Sequence, residues 1–274
     1  MPEAAALEYF DEDSLRILRQ QKLSGSAFSA LPDVSPGQRC CLYAELQADT
    51  EEEALAALYH LGDILRSTGG SEQHTWVART DTDRASQQFF RHAVPESVNM
   101  LIDARKKTDP VITKLAADMS VPDGCLMEIL PVYRRDLQAA GLESAIWGHI
   151  GNNHLHVNIL PRNAADYRKG IEVIRGWAAA VTAMGGAVSA EHGIGKLKRD
   201  FLLIMMGQNA MEEMISVKRA LDPDWLLGRG NLFSLSLPGV PEAVKAAVEG
   251  TPAEGRSPEG ETGEEAGQKG GQGR

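Results

Sequence analysis

A short segment of alternating residues, 154–159, most constrains the fold of this chain. It reads His-Leu-His-Val-Asn-Ile, and successive side chains of a β-strand point to opposite faces of a sheet. One face of the predicted strand is apolar and belongs against a core. The other face carries His154, His156 and Asn158 in a row. We therefore expect a sheet that presents polar side chains at one surface.

Four of the seven histidines fall in two motifs, GHIGNNHLHVN at 148–158 and SAEHGIG at 189–195. A turn between two predicted strands would bring His149 beside His156, and two imidazoles that face one volume are plausible metal ligands. Glu191 follows a Gly-Gly turn and a short apolar strand, which makes it the best candidate for a third ligand. Two histidines and a carboxylate suit zinc, iron or manganese and leave positions open for a substrate oxygen.

His192 follows Glu191 directly, and a turn at Gly193 would keep both side chains near one cavity. A neutral imidazole there is suited to take a proton from a metal-bound hydroxyl group. Other interpretations stay open. The histidines can be structural, and the glycines at 193 and 195 can form a weak anion nest. The basic cluster at 196–199 can meet a single phosphate or be a solvated helix face.

Composition excludes several classes of protein. The net charge of −10 argues against a nucleic-acid partner, because phosphate binding draws on clustered lysines and arginines. Three cysteines at positions 40, 41 and 125 provide neither a disulfide framework nor a Cys-x-x-Cys metal site. We expect no signal peptide and no transmembrane segment. No Gly-x-Gly-x-x-Gly follows a predicted strand, so we expect no nucleotide-binding loop in this chain.

Predicted strands and helices alternate along the chain. The strands are predicted at 6–10, 39–47, 75–79, 118–121, 145–151, 155–160 and 187–190. The helices are predicted after residue 11, after the Thr50–Glu53 capping box, at 83–106 with an interruption at Pro95, after Pro122 with a kink at Pro131, at 163–184, and on both sides of Gly207. This order predicts an α+β fold, with an antiparallel sheet covered by helices on one side and built from ferredoxin-like halves.

The end of the chain differs in composition. Residues 250–274 contain no Leu, Ile, Val or aromatic residue, so they cannot bury enough apolar surface to offset the entropy of ordering them. We predict a folded domain over 1–237 and a disordered, Gly- and Glu-rich tail over 238–274.

The two histidine motifs, together with VKRALDPDWLLGRGN at 217–231, resemble the C-terminal substrate (cap) domain of FAD-linked oxidases. This group includes the D-lactate, glycolate and D-2-hydroxyglutarate dehydrogenases of the vanillyl-alcohol oxidase superfamily. The resemblance covers 6–233. Many members have Gly-Asp-Gly-Asn where this chain has Gly-Asn-Asn-His at 151–154.

The resemblance implies a role for each of six residues. The metal ligands are His149, His156 and Glu191, holding zinc or a similar divalent metal. His192 removes the α-hydroxyl proton while a hydride passes to the flavin. Arg91 and Asn158 contact a small 2-hydroxyacid substrate, and the planar fork of an arginine suits a carboxylate.

In this family an FAD-binding domain precedes the cap domain, and this chain begins where that domain ends. The resemblance therefore implies half of a split enzyme or a truncated product, inactive without a separate FAD-binding chain. Two alternatives remain: a non-catalytic binding module, and a flavin-independent metallohydrolase with zinc-activated water. A cytoplasmic location is expected, and peripheral attachment to the inner membrane through a partner is left open.

Overall fold

The computed structural model describes residues 4–24 and 27–249. Within them, five strands run Ala4–Asp11 (β1), Cys40–Leu46 (β2), Leu115–Ser120 (β3), Ser144–His149 (β4) and His154–Ile159 (β5). The α-helices run Glu12–Leu23 (α1), Glu51–Ser67 (α2), Asp81–Lys106 (α3), Leu126–Ala140 (α4), Ala164–Ala183 (α5), Arg199–Leu221 (α6) and Glu242–Glu249 (α7). None of these helices is both long enough and apolar enough to cross a membrane.

The strands form a single antiparallel sheet in the order β2-β1-β4-β5-β3. The predicted α+β class with an antiparallel sheet is confirmed. From β3 to α5 the strands and helices follow the order of a ferredoxin-like unit. The sequence predicts the last strand of this unit at 187–190. The structure reduces that strand to two isolated bridges with β3, which pair Asp118 with Ser189 and Ser120 with Ala187.

Helices lie on both faces of the sheet, whereas the sequence predicted them on one. α4 and α5 pack over Ile146 and Val157 on one face, where Trp177 is fully buried. On the other face α1 and α3 pack over Phe10 and Trp147. Adjacent strand residues point to opposite faces, so the apolar residues of β1 and β4 supply both cores.

α3 continues through Pro95, where the sequence predicted an interruption. A capping box between Thr80 and Asp83 begins the helix. Its buried residues continue on both sides of the proline, with Phe90 before it and Ile102 after it, and this packing compensates for the hydrogen bond that proline removes.

The prediction of a strand at 75–79 is wrong, because this segment pairs with no described strand.

The C-terminal part packs as a third cluster. Gly207, with φ of 73°, divides α6 into two helical segments, as predicted. α7 lies beyond residue 237, and its Val244 is buried with Ile215 and Phe233. α7 and its buried Val244 thus lie beyond the predicted boundary at 237, while 250–274 lie outside the described residues.

Candidate metal centre and substrate site

The two strands of the first histidine motif place their imidazoles on one face. Pairing of β4 with β5 sets His149 opposite His154, and His156 lies two residues farther along the same face. A 3₁₀ turn, Ile150–Asn152, joins the strands, and Asn153 ends it in the left-handed conformation with φ of 51°. The predicted approach of His149 to His156 is therefore present.

Gly148 allows a close approach to these histidines, and Gly186 allows the chain before the second motif to approach β3. Gly148 has φ of 139°, and a Cβ there would lie 2.9 Å from the carbonyl oxygen of His154 and 3.0 Å from Cδ2 of His156. A Cβ on Gly186 would lie 2.3 Å from the carbonyl oxygen of Ser120. A side chain at either position would force the second motif or the strands apart.

Glu191 lies between the two predicted imidazole ligands. Its Oε2 is 3.2 Å from Nε2 of His149, and its Oε1 is 3.2 Å from Nε2 of His156. The structure thus brings together three side chains that stand up to 42 residues apart in the sequence. Both imidazoles present the same nitrogen to one carboxylate.

A buried carboxylate stands behind His149. Glu8 on β1 is 4% exposed, and its Oε1 lies 2.9 Å from Nδ1 of His149 and 2.5 Å from Nη2 of Arg91. A carboxylate that accepts from the second ring nitrogen orients a histidine ligand and raises its basicity. Arg91, predicted to bind a substrate carboxylate, reaches this site through its ion pair with Glu8.

His156 is buried among the side chains around Glu191. Burial, followed by the electrostatic effect of His154, lowers the pKa of His156 to about 4, so its ring is neutral at pH 7 and can bind a metal. Within the described part of the chain, its buried Nδ1 has no hydrogen-bond partner. Its other nitrogen, Nε2, faces Glu191 and is the one that a cation could bind.

Asp118 on β3 connects the two motifs. Its Oδ1 lies 2.7 Å from Nε2 of His154. Its Oδ2 accepts from Ser189 Oγ at 2.8 Å, His192 N at 2.9 Å and Lys198 Nζ at 3.0 Å. Burial alone raises the pKa of Asp118, but these hydrogen bonds together lower it strongly. The carboxylate is therefore ionised and fixes the loop that carries the second motif.

Among the residues that the structure describes, two overlapping sets of side chains have ligand atoms within 4.8 Å of one another. One set is His149, His154, His156 and Glu191; the other is Asp118, His156, Glu191 and His192. In the second set, both oxygens of Asp118 already accept hydrogen bonds, and the nearby Lys198 ammonium would repel a metal cation. The first set fits a divalent metal better, and its imidazoles and carboxylate suit zinc, iron or manganese.

The predicted base is accessible, whereas a predicted substrate contact is buried. His192 is 56% exposed, its ring stacks on that of His156 with centroids 5.1 Å apart, and its Nε2 lies 3.1 Å from Oε1 of Glu191. Asn158 is 1% exposed. Its Oδ1 is buried without a hydrogen-bond partner among the described residues.

Sequence reasoning did not assign roles to Glu8, Asp118 or Lys198. The first two were detectable in principle, because each is an acidic residue within a predominantly apolar strand, and a buried charge in a core strand requires a partner. The pairing of Lys198 with Asp118 depends on the tertiary structure, and no spacing in the sequence indicates it.

Known proteins resemble this chain in sequence and in fold. It is 27% identical to a D-2-hydroxyglutarate dehydrogenase of Stutzerimonas stutzeri, over 71% of this chain and 41% of that protein. It is 32% identical to a D-lactate dehydrogenase of Anaerostipes hadrus, over 70% of this chain and 38% of that protein. The chain therefore spans less than half the length of these relatives. In fold it resembles a 4-ethylphenol oxidase from Gulosibacter chungangensis, with a TM-score of 0.50 and 15% identity over 83% of this chain and 47% of that one.

The family of the C-terminal domain of FAD linked oxidases matches residues 2–232. This range contains both histidine motifs and all five strands. The chain therefore belongs to the FAD-linked oxidase C-terminal domain family.

Proposed function

We propose that this chain is the substrate- and metal-binding part of a flavin-dependent 2-hydroxyacid dehydrogenase. The observation that carries the proposal is the convergence of His149, His156 and Glu191, with Glu8 behind one imidazole. Family membership implies FAD, and the flavin would be held outside this chain. The names of the relatives favour D-lactate or D-2-hydroxyglutarate as substrate, and glycolate is a further 2-hydroxyacid of the same class.

The position of each residue determines the role that we propose for it. A divalent metal at the three ligands would polarise the α-hydroxyl group of the substrate, and FAD would supply the hydride acceptor. His192, exposed beside the ligands, would take the hydroxyl proton at its imidazole. Arg91 and Asn158 would orient the substrate carboxylate, with Arg91 acting from its ion pair with Glu8.

A second candidate function is a cap fragment that binds metal or a hydroxyacid but has no redox activity of its own. The observation that favours it is coverage, because the chain spans only 38–41% of two full-length relatives.

In the first proposal a separate FAD-binding chain completes the enzyme. We place that assembly in the cytoplasm, with any attachment to the inner membrane made through the partner.

Purification from native cells separates the two functions. The tagged chain is purified gently, and its absorbance spectrum is recorded before and after addition of D-lactate, D-2-hydroxyglutarate or glycolate. A flavin band with a second chain, bleached by one of these acids, is the expected result. A colourless single chain would withdraw the redox function and leave the binding module.

The role of His192 is tested in the flavin-containing complex. His192→Ala should lower kcat by about 10²–10⁴-fold with a smaller change in KM, because a general base contributes about that factor. The matched control is His92→Ala, which removes an exposed histidine of α3. An unchanged kcat in His192→Ala would exclude this residue as the base.

A further inference from the structure

We propose that His154 is a third imidazole ligand, so that the metal centre contains three histidines and one carboxylate. The inference rests on the metal centre of the proposed function and adds a ligand to it. His154 occupies one of the three positions, 152–154, at which this chain departs from the Gly-Asp-Gly-Asn pattern.

The placement of His154 supports the assignment. It begins β5, its Cα pairs with that of His149, and it is 5% exposed. Its ring centroid lies 4.6 Å from that of His156 and 5.5 Å from that of His149. One of its nitrogens lies within 4.8 Å of a ligand atom on each of His149, His156 and Glu191. A three-histidine group this compact, with a carboxylate, matches the composition of a zinc site.

Asp118 determines which nitrogen of His154 is available. Nε2 of His154 lies 2.7 Å from Oδ1 of Asp118. The carboxylate also accepts from Lys198 and from the backbone of His192, so it is an acceptor and Nε2 is the donor. A metal bound to this ring would therefore take the other nitrogen, Nδ1.

His149 on the neighbouring strand β4 also has a carboxylate at one ring nitrogen. Glu8 accepts a hydrogen bond from its Nδ1, and its Nε2 faces Glu191. A carboxylate behind a ligating imidazole is the usual support of a histidine metal ligand. Two of the three imidazoles thus have such a carboxylate, one on β1 and one on β3.

A fourth protein ligand changes what the centre can do. Two histidines and a carboxylate leave several positions open, whereas four protein ligands complete a tetrahedral shell around zinc. A substrate oxygen would then enter as a fifth ligand. We therefore expect this centre to prefer zinc or cobalt over manganese, which favours octahedral oxygen ligation.

Cobalt chloride titration of the full chain tests the inference. The parent protein should show the intense visible absorption of four-coordinate cobalt. His154→Asn removes the imidazole but keeps a side-chain N–H that can donate to Asp118. This variant should bind cobalt at least about 100-fold more weakly, which exceeds the usual effect of losing a group that only supports a metal ligand. Its visible absorption should be weak, as is typical of cobalt with more than four ligands. The control, His74→Asn, removes an exposed histidine and should leave both readings unchanged.

The outcomes separate this inference from the proposed function. If the parent binds cobalt and His154→Asn binds it with the same affinity and spectrum, His154 is not a ligand and the metal centre stands without it. If the parent binds no cobalt, the metal centre of the proposed function fails as well. X-ray absorption of the zinc-loaded parent, which needs no variant to fold, should show three imidazoles per metal; two would overturn the inference.

Discussion

At the scale of single residues, the candidate centre depends on carboxylates that lie behind its imidazoles. Glu8 is buried, accepts from His149 and forms an ion pair with Arg91. It therefore fixes the tautomer and the orientation of His149, the residue that we propose as a metal ligand.

Glu8→Gln should weaken zinc binding by about 10–100-fold, because the amide keeps the shape of the side chain but loses the charge that supports His149. Competition with a coloured chelator measures the affinity. Glu213→Gln on the exposed surface of α6 is the matched control. Equal zinc affinity in Glu8→Gln and the parent would show that the carboxylate is not part of the centre.

The sequence indicated the candidate histidines and Glu191, but it did not indicate the carboxylates that lie behind the histidines. Alternation along 154–159 was enough to place His154 and His156 on one face, as the strand pairing shows. The partners Glu8 and Asp118 come from other strands, and strand order cannot be read from local spacing. Their contacts depend on which strands become neighbours in the sheet.

At the scale of elements, the end of α6 carries a pH-sensitive contact. Asp222 accepts from Lys218 and from the backbone N–H groups of Leu226 and Leu227. The hydrogen bond from Lys218, followed by those from the two N–H groups, lowers the pKa of Asp222 to about 2. The folded state therefore favours the ionised carboxylate.

Because this pKa is lowered on folding, the stabilisation is present above the ordinary value of about 4 and is lost as the pH falls toward 2. Asp222→Asn should lower the urea midpoint at pH 7, and the difference from the parent should narrow between pH 5 and pH 2. Asp224→Asn, two residues away and exposed, should show no such trend. A difference for Asp222→Asn that is independent of pH would contradict this account.

α7 gives a second test at this scale. Val240 and Val244 are each 5% exposed and pack in the C-terminal cluster. Removal of 238–274 should lower the free energy of unfolding by about 2 kcal/mol, because each buried valine contributes roughly 1.5–3 kcal/mol against the entropy of ordering the segment.

Removal of 250–274 alone is the control, and it should leave the urea midpoint unchanged, since composition predicts no core contribution from that segment. Equal stability of the two truncated chains would mean that α7 adds nothing to the fold. The predicted boundary lies at 237 because the few valines of α7 give a weak signal beside a polar tail. Their burial depends on packing against α6 and the segment 225–237.

At the scale of the whole molecule, the fold class was predictable because strands and helices alternate clearly along the chain. The sequence did not predict helices on both faces of the sheet. The face covered by α1 and α3 is buried only because α3 continues through Pro95. The family match shows a C-terminal domain of FAD-linked oxidases, and the metal centre and the flavin held elsewhere are parts of the proposed function.

The zinc content of the purified chain tests the central claim most directly. We predict one tightly bound zinc per chain after dialysis against a trace of zinc, and its loss in a variant that combines His149→Ala with Glu191→Gln, with circular dichroism showing that the variant remains folded. A parent chain that retains no metal, or a folded variant that retains as much zinc as the parent, would contradict the account.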